Sequence, residues 1–551
     1  LAVLEPDEHE KGKYLQGYNG ETQLRSGKTN MAENYNDEIF SYTWDTQANY
    51  IKNFGDHSLN ALALFSVYEQ KLQGDYINVV DMPFDVNWHN LGSGTVQSQS
   101  SYYKKISMLS YVARINYAYK GKYMLTVSSR WDGSSKFQKD NRWGMFPSAA
   151  MAWRISDEDF MGFASKWLSN LKLRASFGIV GNQAIDPYST LGLMTQTKYN
   201  FGTSSDYVGY WANDIATPDL TWEKTRQFDI GLDFAMFNHR LSVSVDYFDK
   251  RTTDALLKKT MPSYKGGASY WVNDGEISNR GVDISLTAHL IQNKDFTWST
   301  TLNGTYLKNR VEKLAGGEND FFFGSKPASG MVDEATIIKP GYAIGSFYGY
   351  VWTGLDESGK DTYLDMDGNG AIDGADRQVI GKATPDFTIG WDNTLTWKNW
   401  DLNLFFNGAF GVDRLNLARF TMASMVGDSR FITLREAYTE NFDKVGQSAI
   451  YPGLKVAGNN YQAVSTKWVE DASYVRLENI SLSYNLSKKV TKFADIRLTL
   501  SCQNLFTITG YKGMDPVGTT FSNSNVDVDA GIDMGAYPTP RTFTFGVRMN
   551  F

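Results

Sequence analysis

The sequence predicts an all-β fold, a transmembrane antiparallel β-barrel of about seventeen strands. Three observations support this prediction. Apolar and polar residues alternate along stretches of roughly ten residues or more, which is the pattern of strands with one apolar face. Very short turns alternate with long connections, as on the two rims of a membrane barrel. No run approaches the ~20 apolar residues that a membrane helix needs.

Alternation defines each strand in turn. In "FDIGLDFAMF" the apolar side chains are those of alternate residues from Phe228 to Met236, and "LSVSVDYF" repeats the pattern after a short turn. The stretch "FTFGVRMNF" alternates strictly and ends on Phe551. In "YVRLENISLSYNL" the phase changes near Glu478 and Asn479, which predicts a β-bulge. The predicted strands are 38–52, 57–72, 104–119, 122–132, 144–155, 170–182, 222–236, 240–251, 276–291, 295–311, 345–355, 385–398, 400–413, 473–487, 494–508 and 541–551.

The connections assign each strand end to a rim. Short turns such as "NFGD" and "WKNW" are predicted on the inner, periplasmic rim, and long connections such as 183–221 on the outer rim. Rim assignments counted forward from the first strand and backward from the last strand agree only if a further strand lies near 332–339. This strand makes the total number of strands odd. Because single-chain barrels have an even number of strands, we expect an odd number to lie outside this sequence, most simply before residue 1. Strands 38–52 and 541–551 would then lack a partner here.

The composition excludes several classes of function. The net charge is −7 and no Lys/Arg cluster dominates, which argues against nucleic acid as a partner. A single cysteine, Cys502, rules out an internal disulfide framework, and the five His residues show no zinc-ligand spacing. No G-x-S-x-G, H-E-x-x-H or P-loop signature of an enzyme is present. The alternative fold, a soluble β-propeller or several β-sandwiches, is disfavoured because the sequence lacks a propeller period of about 40–45 residues.

Several stretches, taken together and in this order, resemble the SusC/RagA family of TonB-linked outer-membrane transporters. They are "YKGKYMLTVSSRWDGSSKF", "NRWGMFPSAAMAWRIS", "GEISNRGVDISL", "PGYAIGSFYGYVWTGL", "LDMDGNGAIDGADRQVIGKATPDFTIGWDNTLTW", "SYVRLENISLSYNL" and "CQNLFTITGYKGMDP". The resemblance implies a 22-stranded barrel with an internal plug. This sequence would supply an extracellular loop, residues 1–37, and the C-terminal part of the barrel, residues 38–551. The N-terminal strands, the plug and the TonB box would lie outside it.

The same resemblance implies a function, which is TonB-dependent import of a nutrient through the Gram-negative outer membrane. A SusD-like surface lipoprotein would capture the ligand over the outer rim, and TonB would open a path by pulling on the plug. The ligand expected is an oligosaccharide, with a peptide as the alternative. The alternative functions are a passive porin or surface receptor and, as an enzyme, a secreted β-rich hydrolase. No catalytic residue is expected in an importer.

One local motif carries the ligand chemistry of a hard cation. "DMDGNGAIDGAD" matches an EF-hand-type loop, with Gly370 at the sharp turn. Its twelfth position is Asp where Glu is usual, and the shorter side chain must approach more closely to bind through both oxygens. The alternative is a solvated Asp/Gly turn. The predicted calcium ligands are Asp365, Asp367, Asn369, the carbonyl of Ala371, Asp373 and Asp376.

Two predicted outer connections carry clustered aromatic residues. "YNFGTSSDYVGYWAND" contains Tyr210, Trp211 and Asp214, which we predict as substrate-binding residues because aromatic faces beside carboxylates suit sugar rings. "NDFFFGSK" contains three consecutive Phe residues, 321–323. Packing of these loops on themselves or on a partner protein is the alternative interpretation.

Overall fold

The computed structural model describes residues 2–15, 30–82, 89–200, 202, 206–212, 214–260, 269–314, 321–324, 334–423, 434–453, 463–518 and 526–551. The strands in these ranges are β1 (Ala2–Leu15), β2 (Met31–Phe54), β3 (His57–Val80), β4 (Thr95–Tyr119), β5 (Tyr123–Ser134), β6 (Trp143–Arg154), β7 (Leu168–Asn182), β8 (Met194–Asn200), β9 (Asp206–Ala212), β10 (Glu223–Met236), β11 (Leu241–Thr253), β12 (Leu256–Thr260), β13 (Ser269–Asn273), β14 (Glu276–Gln292), β15 (Phe296–Lys313), β16 (Phe322–Phe323), β17 (Thr336–Ile338), β18 (Ser346–Gly349), β19 (Trp352–Leu355), β20 (Asp361–Tyr363), β21 (Gln378–Lys382), β22 (Phe387–Trp397), β23 (Trp400–Phe410), β24 (Asp413–Asn416), β25 (Val469–Asp471), β26 (Tyr474–Leu486), β27 (Asp495–Thr509), β28 (Ile532–Asp533) and β29 (Thr542–Asn550).

Helical segments in the same ranges are short. The α-helices are α1 (Leu417–Ala423), α2 (Arg435–Thr439), α3 (Phe442–Val445), α4 (Lys488–Thr491) and α5 (Val526–Asp529). Single 3-10 turns cover Leu91–Ser93, Lys139–Asn141, Ile155–Asp157, Asp159–Ala164, Gly374–Asp376 and Gly446–Ser448. None of the helices among the described residues is long and apolar enough to cross a membrane.

One large sheet contains sixteen of the strands in chain order, namely β1-β2-β3-β4-β5-β6-β7-β10-β11-β14-β15-β22-β23-β26-β27-β29. The chain divides into two compact units. Unit 1 comprises Leu1–Ala150, Gly178–Thr225 and Asp254–Asn273, and unit 2 comprises Met151–Phe177, Arg226–Thr253 and Asp274–Phe551.

In unit 1, long antiparallel hairpins form where the sequence predicts short turns. Strands β2 and β3 pair from Met31↔Val80 to Phe54↔His57, and β4 pairs with both β3 and β5. Gly55 and Gly121 have φ of 58° and 63°, a conformation that glycine adopts without steric cost, which explains "NFGD" and "YKGKY" as tight turns.

In unit 2, the antiparallel ladder runs from β11 through β14, β15, β22, β23, β26 and β27 to β29. The predicted β-bulge is confirmed: Phe405 pairs with Asn479 and Phe406 with Leu477, which leaves Glu478 as the extra residue. The extra residue shifts the side-chain alternation of β26 by one position, as the sequence indicates.

The predicted strands 332–339 and 345–355 are not part of the large sheet. Strand β15 pairs directly with β22, so the intervening chain forms one long connection. Within that connection β17 and β18 belong to a four-stranded sheet with β16 and β21, and β19 pairs with β20. The two parity counts therefore agree once 345–355 is removed, and fifteen of the seventeen predicted strands remain in the large sheet.

The predicted loop over residues 1–37 is also wrong where the structure describes it. Ala2–Leu15 is strand β1, which pairs with β2 from Ala2↔Trp44 to Leu15↔Met31. Residues 38–44 of the predicted strand 38–52 therefore have neighbours on both sides, and with β1 the large sheet contains sixteen strands, so the predicted odd count is wrong for the described residues. Because "EHEKGK" contains no apolar side chain, β1 shows no apolar alternation there, and its backbone hydrogen bonds to β2 carry the pairing.

Exposure alternates along the strands in the reverse of the usual sense. In β10 the apolar side chains of Phe228, Ile230 and Leu232 are 44%, 43% and 37% exposed, whereas Asp229 and Asp233 on the opposite face are half-buried. Strand β29 also exposes Phe543 and its apolar alternates, although its polar side chains are exposed as well. An ordered array of exposed apolar side chains over several strands suits contact with lipid rather than water.

Buried residues of unit 2 concentrate in the connections between the strands. The described residues of 334–386, 411–473 and 510–541, here called the loop domain, share one hydrophobic core. Its largest fully buried side chains are those of Trp468, Tyr451, Phe347 and Leu415. The parallel pairing of β24 with β28 joins the second of these connections to the third.

Candidate functional site

The Asp-rich loop lies between β20 and β21 of the loop domain. The Asp365 carboxylate accepts hydrogen bonds from the backbone N–H groups of Gly368 (2.7 Å) and Gly370 (2.9 Å). The side-chain oxygen of Asn369 accepts one from the N–H of Ala371 at 2.7 Å. Gly368 and Gly370 both have positive φ, so the chain turns tightly around these carboxylates and amides.

Asp376, at the twelfth position, closes the loop from the other side. Its side chain is fully buried, and its two carboxylate oxygens accept hydrogen bonds from the N–H groups of Met366 (2.7 Å) and Asp373 (2.8 Å). Asp373 in turn accepts from the N–H of Ala375, which completes a capping box. The short side chain of Asp376 lies inside the loop because the backbone N–H groups of Met366 and Asp373 approach it and donate hydrogen bonds to it.

Three of the predicted ligands converge. One carboxylate oxygen from each of Asp365, Asp367 and Asp376 lies within 4.8 Å of the other two. Two oxygens bound to one calcium ion at about 2.3–2.6 Å can be no more than roughly 5 Å apart, so the spacing fits this ion. The N–H of Gly370, and then that of Gly368, lower the pKa of Asp365, which keeps the carboxylate in the ionised form that a cation requires.

The residue after the loop attaches it to the loop domain. The Arg377 guanidinium lies 4.7 Å from the ring centroid of Tyr348 and 5.5 Å from that of Phe323, and it donates a hydrogen bond to the carbonyl of Tyr348 at 3.0 Å. Phe321 contacts Phe323 with ring centroids 5.0 Å apart. These two aromatic residues therefore pack on each other and on the loop domain, as the alternative interpretation of "NDFFFGSK" predicts.

The predicted substrate-binding residues of unit 1 are not all brought together. Strands β8 and β9 form a hairpin in which Thr195 pairs with Trp211 and Gln196 with Tyr210. Because neighbours along a strand point to opposite faces, Tyr210 and Trp211 cannot share a ligand on one face. Both are exposed, at 62% and 47%, and Asp214 lies just beyond the hairpin, where its N–H donates to the carbonyl of Leu193.

One face of the hairpin is richer in aromatic rings than the sequence indicates. Tyr199 pairs with Tyr207 on the face that carries Trp211, and the Tyr199 ring lies over Gly209, where a Cβ atom would meet it at 2.0 Å. Phe201, which belongs to the same predicted aromatic cluster, lies outside the described residues.

Sequence reasoning missed a group of charged side chains buried in the loop domain. Lys467 donates a hydrogen bond to the Asp361 carboxylate at 2.6 Å, and Trp352 donates to the same oxygen from Nε1 at 2.7 Å. Arg419 donates to Glu470 at 2.7 Å and to the Tyr451 hydroxyl at 2.6 Å. The partners are 106 and 51 residues apart for the two ion pairs, so no local pattern could have predicted them.

Comparisons with known proteins give one consistent result. The family model for TonB dependent receptor-like β-barrels matches residues 8–505. The chain is 35% identical to TonB-dependent receptor P3 of Formosa agariphila over 562 residues, which cover 97% of this chain and 54% of that protein. It is 32% identical to TonB-dependent receptor SusC of Bacteroides thetaiotaomicron over 473 residues, which cover 83% of this chain and 45% of SusC.

Solved structures agree with the sequence matches. The RagAB peptide transporter superposes with a TM-score of 0.85 at 25% identity, over 100% of this chain and 59% of the transporter chain. The chain spans about half the length of the curated relatives it matches.

Proposed function

Because this chain belongs to the family of TonB-dependent receptor-like β-barrels, we propose that it forms part of a transporter that imports a nutrient across the outer membrane with energy delivered by TonB. Members of this family are integral outer-membrane proteins and are transporters or receptors rather than enzymes. The predicted family and fold class, a transmembrane antiparallel β-barrel, are confirmed.

The observation that best supports import is the chemistry of the two strand faces. Opposite the exposed apolar face, hydrogen-bonded polar networks follow the strands. In unit 2, Arg174 donates to Asp233 at 2.8 Å and to Asp246 at 3.0 Å, and Ser244 donates to both carboxylates. A charged face of this kind suits a path that carries water and polar solutes, while the other face contacts lipid.

The ligand we propose is an oligosaccharide, delivered by a SusD-like surface lipoprotein on the extracellular side. The resemblance of the sequence motifs to the SusC/RagA family, together with the 32% identity to TonB-dependent receptor SusC, is our reason for this choice of partner and ligand class. The similarity to the RagAB peptide transporter supports a peptide as the second candidate.

Uptake and co-purification test this proposal together. The full-length transporter should co-purify with a surface lipoprotein, and cells that carry both should accumulate a fluorescent neutral oligosaccharide. Accumulation of a fluorescent tetrapeptide in place of every oligosaccharide would replace the first ligand class by the second. Uptake of neither ligand by cells with folded transporter in the outer membrane would contradict import.

We further propose that the Asp-rich loop binds calcium through the predicted ligands Asp365, Asp367, Asn369, the Ala371 carbonyl, Asp373 and Asp376. The support is the convergence of three of these carboxylates at a spacing that fits one calcium ion. Since Arg377 attaches the loop to aromatic residues of the loop domain, a bound ion would stabilise that domain rather than take part in transport chemistry.

A further inference from the structure

A cavity of about 370 Å³ lies where the three connections of the loop domain meet. Its volume is at the lower end of the range for small-molecule sites. None of the residues that line it belongs to the Asp-rich loop or to the β8–β9 hairpin. Its lining includes Trp352, Arg419, Ile450, Lys467, Glu470 and Gly510.

The charged side chains deep in the cavity already neutralise one another. Lys467 is paired with Asp361, and Arg419 with Glu470, and all four side chains are largely buried. Removing one partner from such a pair would leave an uncompensated buried charge, so the pairs persist when a ligand enters. A ligand that brings its own charge to these four buried groups would therefore face desolvation without a free counter-charge. The two other charged lining residues, Asp471 and Lys512, carry opposite signs.

The same groups can still bind hydroxyl groups. A guanidinium has five N–H donors and a carboxylate has about four acceptor positions. Arg419 donates to Glu470 and Tyr451, and Glu470 accepts also from Asn416 and the Lys512 N–H, so each group uses only part of its capacity. The half-buried Trp352 lines the cavity and adds an aromatic wall, with Lys467 5.2 Å from the centroid of its ring. Ile450, 41% exposed, adds an apolar wall at the surface.

From an aromatic wall, an apolar wall and a floor of mutually neutralised donors and acceptors, we infer that this cavity binds a short segment of a neutral glycan. Sugar rings have apolar C–H faces that stack on an indole and hydroxyl edges that bond to paired charged groups. The inference rests on the proposed function, of which it would be a ligand subsite on the outer connections.

Two variants fill the cavity without touching its ion pairs. Ile450→Trp enlarges an exposed lining residue, and Gly510→Leu adds a side chain where a Cβ atom would meet nothing within 4 Å. Val445→Trp is the matched control, because Val445 is 45% exposed in the same connection and does not line the cavity. Trp352→Phe and Trp352→Ala compare a retained ring with a lost one.

The test is calorimetric titration of the full-length detergent-solubilised transporter with maltohexaose, laminarihexaose, xylohexaose and mannohexaose. We expect at least one glycan to bind, with an affinity that each cavity-filling variant lowers by about tenfold or more and Val445→Trp leaves unchanged. Trp352→Phe should retain more affinity than Trp352→Ala.

Equal affinity in the control and in either folded cavity-filling variant would overturn the inference, as would binding of none of the four glycans. Binding of tetraalanine that Ile450→Trp abolishes would overturn it in favour of a peptide. If a glycan is taken up in a TonB-dependent manner but Ile450→Trp does not change its affinity, the proposed function stands and only this subsite is rejected.

Discussion

At the scale of single residues, a few buried polar side chains attach the described residues of 510–541, the third connection of the loop domain, to β26 and to the second connection. Arg476 in β26 donates to the Asp515 carboxylate at 2.6 Å, and Arg414 donates to the carbonyls of Pro516 and Ala530. Tyr511 donates to Asp533 at 2.7 Å within the same connection. The third connection therefore depends on a small number of charge-assisted hydrogen bonds, which are stronger than neutral ones.

Asp515 gives a pH-dependent prediction. Burial would raise its pKa, but hydrogen bonds from the Thr539 hydroxyl, the backbone N–H groups of Val517 and Thr539, and Arg476 hold the pKa at about 2. The unfolded connection, with a pKa near 3.9, binds more protons between these values. The contribution of the ionised Asp515 to the stability of the folded connection, roughly 2 kcal/mol, is therefore fully present above pH 4 and is lost as pH falls through about 2.

Hydrogen exchange of residues 510–518 and 526–541 measures this effect. Asp515→Asn should lower the protection factors of these amides at pH 7, because the neutral amide cannot form the ion pair with Arg476. It should also remove the pH dependence of these protection factors below pH 4. Unchanged protection in the variant at pH 7 would contradict the role given to Asp515.

At the scale of elements, side-chain alternation predicts the strands of the large sheet well but does not identify their partners. All the predicted strands except 332–339 and 345–355 have counterparts in that sheet. The segment "SFYGYVWTGL", also predicted as part of a strand of the large sheet, forms β18 and β19, which pair inside the long connection. Alternation indicates that a segment has two unlike faces. Which strand it pairs with depends on residues that are far away in the sequence.

Strand β29 allows a direct test of which face contacts lipid. Val547→Arg places a charge on the apolar exposed face and should lower the free energy of unfolding by about 2–4 kcal/mol if the site is near the bilayer midplane. Thr544→Arg, on the opposite face of the same strand, should cost much less. Urea titration of the full-length protein folded into lipid vesicles gives both values, and a larger loss for Thr544→Arg would reverse the assignment of the faces.

The Asp-rich loop is the element whose geometry the sequence predicts most closely. The EF-hand spacing predicted six ligands, and the structure brings the carboxylates of three of them, Asp365, Asp367 and Asp376, within 4.8 Å of one another. What the spacing could not show is that the backbone folds onto the shorter Asp376. By contrast, the prediction for Tyr210 and Trp211 overlooked that adjacent strand residues point to opposite faces.

Calcium binding has a matched control in the same connection. Asp365→Ala and Asp356→Ala each remove a carboxylate that accepts backbone hydrogen bonds in an exposed turn, but only Asp365 belongs to the converging cluster. Calcium at about 100 times its Kd should stabilise the native protein by about 2.7 kcal/mol. Thermal unfolding of the full-length protein should show this gain in Asp356→Ala and not in Asp365→Ala, and an equal gain in both would exclude the site.

At the scale of the whole molecule, the two faces of sheet strands such as β10 differ in chemistry. Apolar side chains such as Ile230 are exposed, and polar side chains such as Asp233 are hydrogen-bonded on the other side. A soluble β-sandwich would bury the apolar set instead. The sequence pattern could predict the difference between the two faces, because that difference depends only on the two-residue period of a strand. It could not predict the buried pairs of the loop domain, which join residues far apart in the chain.

The most direct test of the central claim, import driven by TonB, is uptake of a fluorescent oligosaccharide by cells that carry the full-length transporter and its surface lipoprotein. Uptake is measured with TonB present and with TonB deleted, at equal amounts of folded transporter in the outer membrane. We predict accumulation that is lost without TonB and restored when TonB is supplied again. Equal accumulation in both strains would contradict the claim and would indicate a passive porin.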